Sequence, residues 1–319
     1  MKKLFIVLLS VLLLTGCSSS HSSFDESDHH QEITVNDLNI LAPSGAPALA
    51  LVDLFETHSD NITIVEGADV LQASFVNPQP EYDVIIAPTN LGVKLAQSKK
   101  TDYRLAAVIT WGNLYILAEN EEVLKNEDLV FAAFGEQAVP GLVFESVKDE
   151  LDIENVVYYN AVTEAQAALL AKNASAALIA EPAASATIAK AKQQNINLSI
   201  VANIQELWEH KTGSFGYPQA SIFVLESENN HEALSDLLTQ IDNNILKMNE
   251  AIEKGDTDSL VFLIDAVSAE TLGVPNAQIV ANGYLRMGLD YRTASDCEQE
   301  LSDFLSLFGI TYDSSIAVR

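Results

Sequence analysis

From Ile33 onward, apolar residues fall into short β-rich runs that alternate with stretches of helical period. The runs Leu38–Ala42, Ile62–Val65, Asp83–Ala87, Leu105–Thr110, Leu114–Ala118, Leu129–Ala133, Val156–Tyr159, Ala176–Ala180, Leu198–Val201 and Ser221–Leu225 predict strands. Between them lie amphipathic stretches. Ala48, Leu51, Val52 and Phe55 repeat at i, i+3, i+4, i+7. Val143, Val147 and Leu151 share a face behind Pro140, a favoured first-turn residue. Thr163 and Gln166 have capping-box spacing at the head of a helix through Leu170. After Leu225 the strand signals stop, and four helical segments follow at about 231–253, 257–268, 275–288 and 295–308. Leu301, Phe304, Leu305 and Phe308 stripe the last, with Ser295 and Glu298 spaced to cap it. Strand–helix alternation predicts an α/β fold with parallel sheets covered on both faces. The helical C-terminal segment is expected to pack back on the first lobe.

The N-terminus follows a different pattern. Lys2 and Lys3 precede a stretch, Leu4 to Leu14, that is apolar apart from Ser10. This is the layout of a secretory signal over residues 1–16, about half the ~20 residues of a membrane-spanning helix. Leu14-Thr15-Gly16-Cys17 resembles a bacterial lipobox, which would leave Cys17 as a lipid-bearing first residue. Residues 17–32 then read as a polar tether, its His21, His29 and His30 belonging to a solvated linker rather than a metal site. No second apolar run approaches spanning length, so lipid alone is expected to hold the protein to the membrane.

Charge narrows the partners. The chain carries 17 basic and 45 acidic residues, a net charge of −28. Loss of Lys2 and Lys3 with the signal leaves 15 basic against 45 acidic residues, net −30. Such a surface has no attraction for nucleic acid. Beyond Cys17 the only cysteine is Cys297, which excludes an intrachain disulfide in the processed chain and a Cys/His zinc cluster. No metal or cofactor is expected.

Candidate chemistry sits in the loops after strands, where open α/β sheets bind ligands. Pro43-Ser44-Gly45-Ala46-Pro47 offers a hydroxyl, a close-approach glycine and amides at a helix start. Thr89 and Asn90 follow Pro88, and Trp111 with Gly112 ends the fourth run, the indole placed to stack on a flat ligand. Gly135 and Gln137 lie in a third loop that lacks the Gly-Lys-Ser/Thr of a phosphate-binding Walker loop. Glu181 precedes Pro182 at a strand end, its carboxylate expected to point into the space beyond, and Tyr217 lies in the last loop. These loops contain no Arg or Lys, whereas oxyanion-rich ligands are commonly met by an Arg fork.

The lipobox, Pro43-Ser-Gly-Ala-Pro47, Asp83-Val-Ile-Ile-Ala-Pro88 before Asn90, and Ala177-Leu-Ile-Ala-Glu-Pro182 together resemble the type II periplasmic-binding fold of ABC importer solute receptors. Within that family the chain is most similar to the branch serving alkanesulfonates, taurine, nitrate and thiamine-precursor pyrimidines. The resemblance implies lobe one from residues 33–118 plus 223–319, and lobe two from 119–222, with crossings near Ala118 and Ile222. It implies a hinged interlobe cleft faced by Glu181, and a lipid-anchored monomer on the extracytoplasmic face of the cell membrane. The implied partners are a small solute and the subunits of an ABC permease. Glu181 and Trp111 fit a small nitrogen heterocycle, such as a thiamine-type pyrimidine. An organosulfonate held by helix N-termini is the alternative. A surface sensor and an enzyme on the same fold are further alternatives. Pyrimidine synthases of this shape carry a cysteine-rich metal motif absent here, and His58, His210 and His231 stand beside no nucleophile motif, so no enzyme is expected.

Overall fold

The computed structural model describes residues 33–318. The signal segment, Cys17 and the tether to residue 32 lie outside the described residues. Eleven strands are present among them: β1 (Ile40–Pro43), β2 (Ile62–Val65), β3 (Val84–Pro88), β4 (Arg104–Thr110), β5 (Leu114–Ala118), β6 (Phe131–Phe134), β7 (Val156–Tyr159), β8 (Ala176–Ala180), β9 (Ser199–Asn203), β10 (Ala220–Val224) and β11 (Leu289–Thr293). Four of the ten expected runs coincide with observed strands to the residue, and the others are shifted by one or two positions at an end. β11 was not expected. Its Leu-Asp-Tyr-Arg-Thr alternates over only five residues directly behind a helical stretch, and it pairs as an edge strand along β4, where one neighbour suffices.

The strands form two sheets, ordered β11-β4-β10-β3-β1-β2 and β7-β6-β8-β5-β9. Both are mixed rather than wholly parallel. β10 runs antiparallel to β3 and β4, and β5 runs antiparallel to β8 and β9. These two strands bring the chain into each sheet from the other, and reversal places their first residues beside the carboxyl ends of their neighbours. Leu114 pairs with Ala180, and Ala220 pairs with Pro88 and Thr110.

The passage between sheets is earlier than the expected Ala118. β5 belongs wholly to the second sheet, so Trp111, Gly112 and Asn113 make the crossing, and residues 213–219 make the return before β10. An all-apolar strand such as Leu114–Ala118 has no feature assigning it to one sheet, because central strands are buried on both faces. Close backbone approach fixes the crossing. Trp111 N–H donates to Gly288 O at 2.7 Å, and a Cβ on Gly288, at φ +66°, would stand 2.2 Å from Gly112 O.

Helices cover both sheets. His231–Glu253 buries Leu234, Leu237, Ile241 and Ile245 against Ile40, Val84 and Ile222 of the first sheet, as expected for the C-terminal segment. The last helix, Glu298–Ser306, buries its stripe beside Ile85, Val108 and Phe223 of the first sheet as well. Its Leu301, Phe304 and Leu305 join a cluster containing residues of both sheets, including Ile85, Leu114 and Ile116. The stretch carrying Ala48, Leu51, Val52 and Phe55 buries that face but is broken into short helical turns, Ala46–Leu49, Val52–Leu54 and Phe55–His58.

Two expected caps are replaced. Glu164, not Gln166, reaches back to Ala161 N–H at the head of Val162–Leu170, while Gln166 donates to Thr187 Oγ1 at 2.7 Å. Cys297 precedes Glu298–Ser306 without a side-chain cap, and Ser295 pairs with Thr293 instead. Both motifs were placed one residue or more from the true boundary, where spacing alone is ambiguous.

Candidate functional site

A cavity of about 560 Å³ lies where the carboxyl-end loops of the two sheets meet. From the first sheet come Ser44, Gly45 and Ala46 after β1, Asn90 and Leu91 after β3, and Gln219 just before β10. From the second come Gln137 and Pro140 after β6, Glu181 and Pro182 after β8, and Asn113 just before β5. Six predicted positions thus come together: Ser44, Gly45, Ala46, Asn90, Gln137 and Glu181. Among the described residues, no lysine or arginine lines the cavity. Gly45, at φ +87°, makes the sharp turn from strand into helix. A Cβ on Gly273, at φ +64°, would stand 2.4 Å from Ser44 Cβ, so a bare backbone there seats the Ser44 loop.

Three of the loop amides are committed within the chain. Ser44 N–H donates to Val65 O at 3.0 Å, Gly45 N–H to Leu272 O at 2.8 Å, and Thr89 N–H to Gln219 O at 3.1 Å. These bonds rigidify the rim and remove three donors that an anion would otherwise use.

Glu181 is not the open carboxylate that its place at a strand end implied. Its side chain is 0% exposed. Oε1 accepts from Arg286 Nε at 2.8 Å and Ser185 Oγ at 2.9 Å, and Oε2 accepts from Ser185 N–H at 3.0 Å. Arg286 Nη2 also donates to Ser185 Oγ at 2.8 Å, while the guanidinium side chain stays 38% exposed. Arg286 lies in the C-terminal turn Tyr284–Met287, whose carbonyl at Arg286 accepts from Tyr115 Oη of β5 at 2.8 Å. Burial, and secondarily the Glu181 carboxylate, push the Tyr115 hydroxyl up to about 12, so it stays a donor at neutral pH. The Glu181 backbone is held too: its N–H donates to Asn113 O at 2.8 Å, and Asn113 Nδ2 donates to Glu181 O at 3.0 Å.

Five predicted positions lie elsewhere. Trp111 is buried, donates from Nε1 to Asp290 O at 2.8 Å, and packs edge-on to Phe215 with the Arg292 guanidinium 5.2 Å from its ring centroid. It belongs to the crossing between sheets and leaves no face for a cleft ligand. Gly112 leaves room for the Tyr217 ring, which a Cβ would meet at 2.5 Å. Tyr217 is itself fully buried between Trp208 and Phe304. Thr89 is buried beneath the rim, its Oγ1 2.7 Å from Ser221 Oγ. Gly135 shapes the third loop through its N–H bond to Tyr159 O, beside rather than in the lining.

Asn113, Gln219 and Arg286 were missed. Asn113 shares the loop after β4 with Trp111 and Gly112, which were chosen in its place, and Gln219 precedes β10. Reversal of β5 and β10 is what brings them to the carboxyl-end side. Arg286 lies 105 residues from Glu181 in a turn without a motif, and no sequence signal pairs them.

The family model for prokaryotic membrane lipoprotein lipid attachment sites matches residues 1–18. No curated protein matches the chain. Solved structures do. An ABC transporter from Parabacteroides distasonis aligns with TM-score 0.69 at 19% identity, covering 88% of this chain and 98% of that one. The zinc-bound ligand-binding component of an ABC-type import system from Staphylococcus aureus aligns with TM-score 0.62 at 12% identity, covering 88% and 96%. The periplasmic aliphatic sulphonate binding protein SsuA from Escherichia coli aligns with TM-score 0.57 at 16% identity, covering 85% and 86%. At such identities the likeness establishes the architecture: the chain has the two-sheet α/β fold of periplasmic solute-binding proteins. Among the described residues, no helix is long and apolar enough to cross a membrane, and no group of three or more His, Cys, Asp or Glu side chains is placed to hold a metal.

Proposed function

We propose that this protein is the solute-binding component of an ABC importer, tethered by lipid at Cys17 to the extracytoplasmic face of the cell membrane. In this reading it captures a small nitrogen heterocycle and delivers it to permease subunits as a monomer without catalysis. The two sheets are the cores of two lobes, residues 33–110 with 220–318 and residues 114–212, and the Trp111–Asn113 crossing together with the 213–219 return serves as the hinge. The observation that carries the reading is the cavity itself: it is built jointly from the carboxyl-end loops of both sheets, so one occupant touches both lobes. A ligand that contacts both lobes favours the closed arrangement by its differential affinity. The lipid-attachment match at residues 1–18 supports the anchor.

Two features favour a heterocycle over an oxyanion. The lining contains no basic side chain, and its walls include Ala46, Leu91, Val139, Pro140 and Pro182, which suit a flat apolar ring. The nearby Arg286 is committed to Glu181 and Ser185. The stacking role given to Trp111 is withdrawn, and the cationic ligand it suggested loses its open carboxylate.

The reading is tested by melting the purified protein against vitamins, their heterocyclic precursors and sulfonates, followed by small-angle scattering on any stabilising compound. A true solute at a hundred times its Kd adds about 2.7 kcal/mol of stability. It should also contract the particle. Stabilisation by no compound, or binding without contraction, refutes the receptor assignment.

A further inference from the structure

The two lobes also meet beside the cavity, through a charged cluster made by the protein alone. Arg286 stands in the turn Tyr284–Met287, whose Tyr284 and Met287 are buried with Ile40, Val84 and Ile222 of the first sheet. Its guanidinium crosses to the other lobe: Nε donates to Glu181 Oε1 and Nη2 to Ser185 Oγ, both at 2.8 Å. Glu181 follows β8, and Ser185 lies in the helix Ala183–Gln193, whose Ala184 is buried with Leu117 and Ile179 of the second sheet. The helix Ala277–Gly283 closes over the cluster and ends on a buried glycine. A Cβ there would stand 2.7 Å from Ser185 Oγ, 3.2 Å from Arg286 Nη2 and 3.3 Å from Glu181 Oε1, so a bare backbone is what admits the contact. Glu181 is in the cavity lining, whereas Ser185, Gly283 and Arg286 are not.

We infer that Arg286, Glu181 and Ser185 form an interlobe latch, seated on Gly283, that raises the closed share of the protein before any solute binds. The inference rests on the hinged two-lobe reading above and adds a contribution to closure made by the chain itself. A solute shifts the open and closed populations only by its differential affinity for them, so contacts between the lobes set where that shift begins. The geometry favours a net attraction. Both Glu181 oxygens are hydrogen-bonded, by Arg286 and by the Ser185 N–H and hydroxyl, so burial leaves neither unsatisfied. The Arg286 side chain stays 38% exposed and gives up only part of its hydration. Rotation of the lobes about the crossing would part these atoms, because Arg286 is carried by the core of the first sheet and Glu181 and Ser185 by elements of the second. The latch therefore acts on solute affinity through closure, with neither Arg286 nor Ser185 in the lining.

The test reads lobe separation with no ligand present. Asp69→Cys and Thr163→Cys place spin labels at exposed positions, one in the helix after β2 and one in the helix after β7, in a chain also carrying Cys17→Ser and Cys297→Ala. Label-to-label distances are then measured by electron–electron resonance. Glu181→Gln and Gly283→Ala should each move at least roughly a tenth of the molecules to longer separations. The first removes the charge. The second keeps every charge but drives a methyl group against Ser185 Oγ, so a common shift isolates the latch from the loss of one ion pair. Sodium chloride at 1 M should lengthen the separations in the labelled parent and leave Glu181→Gln unmoved, because the half-open guanidinium is exposed to screening. Both variants matching the parent, or salt moving the parent and Glu181→Gln equally, overturns the latch. The salt comparison on the parent reads the latch even where a variant does not fold: separations unmoved by salt overturn it. These readings involve no solute, so the latch can fall while the receptor assignment stands, and the melting screen decides that assignment whatever the distances show.

Discussion

Removing Arg286 should damage the protein more than removing the charge it neutralises. The Glu181 side chain is 0% exposed while that of Arg286 is 38% exposed, so the two partners differ in what happens when each is left alone. In Arg286→Met, the Glu181 carboxylate stays in the interior with only the two Ser185 donors. Stranding a buried charge in this way costs about 3–5 kcal/mol. In Glu181→Gln, the guanidinium turns toward water and keeps Ser185 Oγ within reach, so the loss is confined to hydrogen-bond strength, about 1–2 kcal/mol after solvent screening. At roughly 2 °C per kcal/mol for a chain of this size, Arg286→Met should lower Tm by about 6–10 °C and Glu181→Gln by about 2–4 °C. The double variant faces a neutral amide with a thioether and should melt close to Glu181→Gln, because the stranded charge is gone. Scanning calorimetry of the four proteins closes the cycle. Equal single losses, a reversed order, or a double variant showing the sum of both would refute the argument that an uncompensated Glu181 charge dominates.

Gly273→Ala should lower stability by about 1–3 kcal/mol through a forced positive φ and the 2.4 Å approach to Ser44 Cβ, and it should weaken solute binding by shifting the Ser44 loop; an unchanged melt and an unchanged Kd would show that the loop gives way freely. Burial pushes the Cys297 thiol up to about 12, and it donates to Thr293 O. At pH 8 roughly one Cys297 in ten thousand would then be thiolate, so a disulfide reagent should leave it unmodified in the native protein and label it in urea; fast native labelling would contradict its burial. A Cys17→Ser protein should move from the membrane fraction to the soluble one, and persistent membrane association would refute lipid anchoring.

The architecture was legible because its determinants are local. Strands such as Leu114–Ala118 and Ala176–Ala180 are β-rich apolar runs, and the stripe on His231–Glu253 holds its period for about five turns. What local pattern does not contain is partnership between strands. Leu114–Ala118 is equally apolar whichever sheet it joins, and so the crossing was put one strand too late. Leu289–Thr293 alternates, but it is five residues long and sits among helical segments, and pairing with β4 is what identifies it.

The site divides along the same line. Ser44, Asn90, Gln137 and Glu181 follow their strands, and a rule about strand ends reaches them. Asn113 and Gln219 precede theirs, and enter only because β5 and β10 run against their neighbours. Trp111 illustrates the opposite error: its place after β4 satisfied the rule, yet the residue after a strand that leaves its sheet belongs to the crossing between sheets. There an indole is better used packing between Phe215 and Arg292 than facing solvent. Glu181 carries the same lesson in charge. A carboxylate at a strand end looks available to a ligand until a cation from a distant segment is brought beside it. Arg286 does this across 105 residues, turning an apparent ligand group into a tie between the second sheet and the C-terminal return. With that charge consumed, the cavity lining offers a ligand only neutral side chains.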